Sequence, residues 1–212
     1  MMLMRPGEED EAHYCGTAFV VHGDGYLLTS SACTDEEQDL VAVPTQVDTG
    51  FHPATREEVS PIPVRVVRTD PEQGIALLKI VPDLKVTVPA HIVGNAETVG
   101  PGSTLIALGF SFGHHKLHSL VSRLATLSAK IEAPDGSRLL LFDAFARDGD
   151  IGGPLVSPQD GRAVGIIRGR FDPVEFWREE HHRGAEADAT LSYATSIEYG
   201  AALLEAEGVT VL

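Results

Sequence analysis

Positive charge is scarce in this chain. Sixteen Lys and Arg stand against 31 Asp and Glu in 212 residues, a formal net charge of −15. A surface of that sign repels a phosphate backbone, so nucleic acid is excluded as an expected partner. Cysteine is nearly absent: Cys15 and Cys33 are the only two, too few for a disulfide framework. No apolar run approaches the roughly 20 residues that span a bilayer, so no membrane partner is expected. The opening stretch "MMLMRPGEEDEAH" turns acidic after a few residues and lacks the apolar core of a secretory signal. The chain as given is therefore expected in the cytoplasm, unless a signal has already been removed. There is no fixed-period repeat and no low-complexity tract.

What the chain does have is apolar content, 43% of residues, enough for one domain (1–212) with a sizeable core. Short apolar segments recur between Gly, Pro and Asp: "GTAFVV", "GYLLTS", "DLVAVPT", "PVRVVRT", "GIALLKIV", "STLIALGF", "HSLVSRLATLSAKI", "RLLLFDAF", "AVGIIRGR" and "LSYATSI". Many short strands at such spacing indicate a barrel or sandwich, not βαβ units. Asp-Gly pairs in "HGDGYLL", "APDGSRLLL" and "SPQDGRAVGII" signal hairpins. The one convincing helix is "SIEYGAALLEAEG" (196–208), with Ser196 as cap and Gly208 as stop. The charged stretch 171–190 has no strand alternation and reads as a surface insertion.

One loop stands out. "GDIGGPLV" (149–156) crowds three glycines and a proline around Ile151. Glycine belongs where φ is positive or a backbone must come close, yet the side chain on display carries no reactive group. Four segments in order explain the oddity: "GTAFVVHGDGYLLTSSAC", "RTDPEQGIALLKI", "STLIALGFSFG…HSLVSRLATLSAK" and "FDAFARDGDIGGPLV" followed by "GRAVGIIRG". Together they resemble the chymotrypsin/HtrA-like, or trypsin-like, serine peptidases, from about Tyr14 to Leu204. The resemblance implies an all-β fold of two six-stranded antiparallel β-barrels with a short C-terminal helix. The lobes would run over 12–84 and 85–195.

Peptidase chemistry needs a Ser nucleophile, a His base and an Asp that orients the His. The resemblance puts the base at Ala32 in "LTSSA", the acid at Gly74 in "GIALLK" and the nucleophile at Ile151 in "GDIGGPL". None of the three has the required side chain, and neither Ser30 nor Ser31 is a base near neutral pH. The chain is thus identified as a catalytically inactive member, a pseudopeptidase. Loss of a triad costs about six orders of magnitude in rate.

The resemblance also implies what could remain. The amides of Gly149 and Ile151 occupy the oxyanion-hole positions, unless the glycines persist only because the barrel packs around them. Ile167, Arg168 and Gly169 fall on the segment that pairs with substrate backbone, a mode that needs no catalytic residue. Arg168 and Arg170 either meet acidic groups of a peptide or pair with local Asp and Glu. Phe145 falls at the floor of the specificity pocket and is either a filler of that pocket or core. Asp150 beside Ile151 is expected to support the loop. Cys15 and Cys33 fall on a pair that trypsin-like members often bridge, so they form either a disulfide or two packed thiols.

His114, His115 and His118, and His181 and His182, sit in loops without tetrahedral metal-ligand spacing, so neither metal nor cofactor is expected. The leading expectation is a protein that holds or presents an extended peptide between its lobes. A ribosomally made precursor peptide undergoing modification is the concrete version. The alternatives are a structural or regulatory interaction module with a closed groove, possible as a homodimer, and a residual hydrolase.

Overall fold

The computed structural model of the chain describes residues 1–7, 12–34, 39–45, 50–55, 59–172 and 191–210. The first sheet has seven strands: β1 (Met2–Pro6), β2 (Ala12–Thr17), β3 (Phe19–His22), β4 (Tyr26–Ser30), β5 (Leu40–Val43), β6 (Ile62–Asp70) and β7 (Ile75–Ile80). Their order is β2-β1-β5-β6-β7-β4-β3. The edge strands β2 and β3 are separated in the chain by Ala18 alone, so the sheet curls back on itself through one bent run. Counted as a single run, β2 and β3 make the expected six.

The second lobe is a closed barrel ordered β10-β13-β12-β11-β8-β9. Its strands are β8 (Thr104–Gly109), β9 (Val121–Glu132), β10 (Arg138–Asp143), β11 (Pro154–Val156), β12 (Ala163–Arg170) and β13 (Ser192–Ser196). The expected Asp-Gly hairpins join β3 to β4, β9 to β10 and β11 to β12, all antiparallel. The two-lobed, mostly β architecture with one short C-terminal helix is the expected fold.

Helix α1 (Ile197–Ala206) closes the described fold. Ser196 precedes it but does not cap it with its side chain: its hydroxyl bonds the Glu198 carboxylate. Glu198 in turn accepts from the Ala96 amide at 2.7 Å, so this start is tied to the second lobe. The helix ends before Gly208, whose amide donates to the Glu205 carbonyl at 2.9 Å. The expected insertion lies almost wholly outside the described residues, which resume at 191. Its two ends are held together by the Phe171 amide donating to the Leu191 carbonyl at 2.9 Å.

β7 shows how the lobes join. Ile75 and Leu77 pack with Ile166 of β12 and with Ile197 and Leu204 of α1. Leu78 and Ile80 point to the interior of the first sheet with Leu3, Leu27 and Val64. Burial on both faces explains why "IALL" is apolar without alternation. Gly74 sits immediately before this strand, at the junction of the lobes.

β1 has no counterpart among the strands expected from the sequence. "MLMRP" is short and does not alternate, yet it pairs β2 on one side and β5 on the other. Met2, Leu3 and Met4 are buried. Replacing Leu3 by Ala is therefore expected to destabilise the fold by about 3 kcal/mol. Urea unfolding should show a lower midpoint at unchanged slope; an unmoved midpoint would mean that β1 is not integral to the lobe.

Candidate functional site

The chain brings Ala32, Gly74 and Ile151 to one place. A short 3-10 turn, Ser31–Cys33, follows β4. Its Ser31 amide donates to the Gly74 carbonyl at 2.9 Å, and the Ser30 hydroxyl adds a second bond at 3.2 Å. On the other side the Cys33 thiol points to the Ile151 carbonyl, 3.6 Å away. Ala32 itself is exposed, while Ile151 is half-buried and packs against the cluster that contains Cys33 and Cys15.

The loop from Gly149 to Gly153 is held from two sides. The Gly149 carbonyl accepts from Tyr14 Oη at 2.7 Å and Thr17 Oγ1 at 2.8 Å, and the Ile151 carbonyl accepts from the Thr17 amide at 2.9 Å. From the barrel, the Gly152 amide donates to the Ile167 carbonyl and the Ile167 amide to the Gly153 carbonyl, both at 2.8 Å. Such approaches leave no room for side chains. A Cβ at 149 would meet the Phe110 backbone, at 153 the Leu108 backbone, and at 152, where φ is +83°, the Thr17 carbonyl and Thr29. Close packing accounts for the glycines without any ligand.

Asp150, fully buried, locks this loop. Its carboxylate accepts from Ser111 Oγ at 2.6 Å and from the Arg147 amide at 2.7 Å, and it pairs with Arg123 Nη2. The expected supporting role of Asp150 thus has a geometric basis. Its partners Ser111 and Arg123, and the anchors Tyr14 and Thr17, escaped the sequence reading because they lie far from the loop in the chain.

Several expected site residues are placed differently from the reading. Ile167 cannot pair with a peptide backbone: it is fully buried, and its amide and carbonyl are both taken by Gly153 and Gly152. β11 pairs with β12 only as far as Ile166, so an edge open to a further strand starts at Arg168, not at Ile167. Of the two amides expected at oxyanion-hole positions, that of Ile151 donates inward to the Asp148 carbonyl at 3.3 Å. Phe145 is not core; it is 50% exposed, with the guanidinium of Arg170 over its ring at 5.2 Å and that of Arg147 at 5.7 Å. Arg147 also lies over Phe112, at 4.7 Å.

Arg168 gives the largest departure. A Cβ at Gly74 would fall on the Arg168 guanidinium. The side chain expected to line a peptide edge instead reaches into the space of the expected acid. Its Nη1 donates to the Gln73 carbonyl and lies 3.4 Å from Thr195 Oγ1. Gly74 has φ of +63°, a conformation that also favours glycine. Burial pulls the Arg168 pKa below the ordinary arginine value. No local Asp or Glu pairs with Arg168 or Arg170 among the described residues.

Both cysteines are free thiols in this structure. Cys15 Sγ points to the His13 carbonyl at 3.5 Å. The described histidines and acids form no group of three or more fit to hold a metal; His181 and His182 lie outside the described residues.

With this geometry in view, comparisons with known proteins decide the family. Residues 16–166 match the trypsin-like peptidase domain. The chain belongs to that family. Among curated relatives, the magnetosome formation protease MamE of Magnetospirillum gryphiswaldense is 33% identical over 163 residues, covering 74% of this chain and 19% of MamE. The chain therefore spans about a fifth of that relative's length. Among solved structures, the HtrA-type protease AlgW with a decapeptide superposes with a TM-score of 0.67 at 22% identity, covering 92% of this chain and 52% of AlgW. The MamO protease domain from Magnetospirillum magneticum, in its apo form, gives 0.65 at 20% identity, covering 97% and 94%. At these identities the structures establish the shared double-barrel fold.

Two outcomes follow. Removing the Asp150 carboxylate leaves Arg123 without its partner, so Asp150→Ala should lower stability by about 3 kcal/mol, read by chemical denaturation; no loss would mean the pair is not structural. Burial pushes the Cys33 thiol from its ordinary value of 9 to about 11. The folded chain then keeps a proton that the unfolded chain has released, so this contribution to stability is full below about pH 9 and is lost as pH rises through about 11. Iodoacetamide at about pH 8 should label Cys33 far more slowly than an unfolded thiol; equal rates would contradict its burial.

Proposed function

We propose that this trypsin-like domain binds an extended peptide and does not cleave it. The observation that carries this reading is the convergence of Ala32, Gly74 and Ile151 on one spot inside an otherwise intact peptidase architecture. Methyl, hydrogen and sec-butyl groups can neither attack a carbonyl nor move a proton. What such a groove retains is shape and backbone. A peptide would add to the edge of β12 from Arg168 to Arg170, with its neighbouring side chains near Phe145 and the Gly149 amide. Main-chain pairing of this kind gives affinity, and pockets for alternate side chains give selectivity. The solved complexes of AlgW with a decapeptide and with a tripeptide support peptide as the ligand class for this fold. Without hydrolysis the complex persists, which suits a protein that presents its ligand to other enzymes in the cytoplasm, a ribosomal precursor peptide during modification being the specific case.

A second reading is favoured by the Arg168 position and the inward Ile151 amide: the groove is filled by the chain's own groups, and the domain acts as a closed interaction module.

One experiment separates these. An equimolar randomised decapeptide library is passed over the immobilised chain, and the retained fraction is read by mass spectrometry. Peptides recovered intact after hours are expected; none retained would favour the closed module. Cleaved products that vanish when one groove residue is replaced would revive hydrolysis. The triple change Ala32→His, Gly74→Asp and Ile151→Ser is expected to stay inactive on fluorogenic peptides, because the Arg168 guanidinium occupies the acid's space. Measurable turnover by that variant would show that Arg168 yields its place.

A further inference from the structure

Arg168 is a partly buried cation with no counter-ion among the described residues. Its Nε is buried and has no hydrogen-bond partner, as does Gln73 Oε1 beside it. The chain holds 31 Asp and Glu, yet none among the described residues pairs with this guanidinium. The groups that bear on its charge are Tyr193 and Cys33. A charge withdrawn from water normally comes with a partner. The guanidinium lies where the side chain of residue 74 would begin, and residue 74 is Gly, so that position supplies no carboxylate. Residue 32, on the turn bonded to the Gly74 carbonyl, is exposed and ends at a methyl group.

A second observation points the same way. Arg170, two residues beyond Arg168 on β12, and Arg147, just before the loop turn, both lie over the Phe145 ring, and Arg147 lies over Phe112 as well. Stacking fixes the plane of a guanidinium and leaves its in-plane N–H groups able to bond an anion. Three of the chain's sixteen bases thus lie on or beside the end of β12 in a strongly acidic protein.

We propose that this end of β12 is a carboxylate receptor: Arg168, standing in the space expected for the acid of a triad, takes a carboxylate of the bound peptide, and Arg147 and Arg170 extend that preference along the β12 edge. The polarity of the centre is inverted. The family pattern calls for a carboxylate that steadies a cation, whereas this chain offers a cation that awaits a carboxylate. A guanidinium can meet the carboxylate with two parallel N–H bonds. The carboxylate is either the peptide's C-terminus or an Asp or Glu side chain. The proposal rests on the peptide-binding reading for the ligand's backbone, but not for its charge.

The test uses the full chain and two probes. The first is a randomised decapeptide library in four pools: with or without Asp and Glu, and with a free or an amidated C-terminus. Retention should favour a carboxylate pool about tenfold or more, and the pool that wins identifies the source. Arg168→Met should cut that retention by ~10- to 100-fold, the range for losing a hydrogen bond to a charged group. Arg168→Lys, which keeps the charge and the fold but loses the fork, should fall between. The second probe is sodium acetate, followed by NMR of the Arg168 Nε–H signal, with sodium chloride as the ionic-strength control. A saturable shift with acetate alone is expected. If peptides are retained equally from all pools and acetate leaves Arg168 unmoved, the receptor is wrong while peptide binding stands. If acetate shifts Arg168 but no peptide is retained, the carboxylate site stands and the peptide reading fails.

Discussion

The backbone of residues 149 to 153 is bonded to both lobes at once. Thr17 and Tyr14 of β2 hold the Gly149 and Ile151 carbonyls, and Ile167 of β12 exchanges bonds with Gly152 and Gly153. Much else follows from this double attachment. It demands residues without Cβ at three of the five positions, because neighbouring backbone lies where Cβ would be. It brings the turn after β4 against Ile151, and that turn already carries the Gly74 carbonyl. It also spends the backbone of Ile167, which shortens the edge open to a peptide. A loop built this way keeps its shape for mechanical reasons. Its sequence can therefore look like a nucleophile loop whether or not a nucleophile is present.

Two charges buried near this loop fare differently. Asp150 has an arginine, a serine hydroxyl and a backbone amide on its carboxylate, so its burial is compensated by hydrogen bonds of the strong, charge-assisted kind. Arg168 has a backbone carbonyl and a distant hydroxyl, and no opposite charge among the described residues. Paired buried ions typically come close to breaking even, whereas an uncompensated one costs several kcal/mol. The first arrangement is that of a structural brace. The second is that of a group whose best partner comes from outside.

Local chemistry made much of the fold legible. The Asp-Gly hairpins, the strand-rich pattern and the late helix each rest on a few neighbouring residues, and each formed as its residues dictate. β1 was hidden because three buried apolar residues in five carry no period, and because an acidic run follows them. The site was legible in position but not in contacts. The resemblance to trypsin-like peptidases pointed to Ala32, Gly74 and Ile151, and their turns adjoin in the structure. The bonds from Tyr14, Thr17 and Arg123 cross more than 25 residues of chain each, and no spacing rule reaches that far. The use of Ile167 was misread because a segment matched by motif was taken as an open edge, while its hydrogen bonds depend on a loop 14 residues earlier.

The position of Arg168 beside Gly74 was missed for a different reason, and the signal was present. A Gly at the expected acid position removes a carboxylate and also the Cβ that would exclude a guanidinium. An Arg on the strand that closes against that position adds the opposite charge and the length to reach it. Either change alone is poorly accommodated: an Asp at 74 facing this guanidinium would have to displace it, and a glycine at 74 opposite a small residue would leave a void. Together they fill the space and reverse its sign. Read as a pair, Gly74 and Arg168 are complementary across two strands: the volume expected for an acid is taken by a base. Such compensation is invisible to a reading that assigns each residue its own role, and it becomes plain once the two are known to touch.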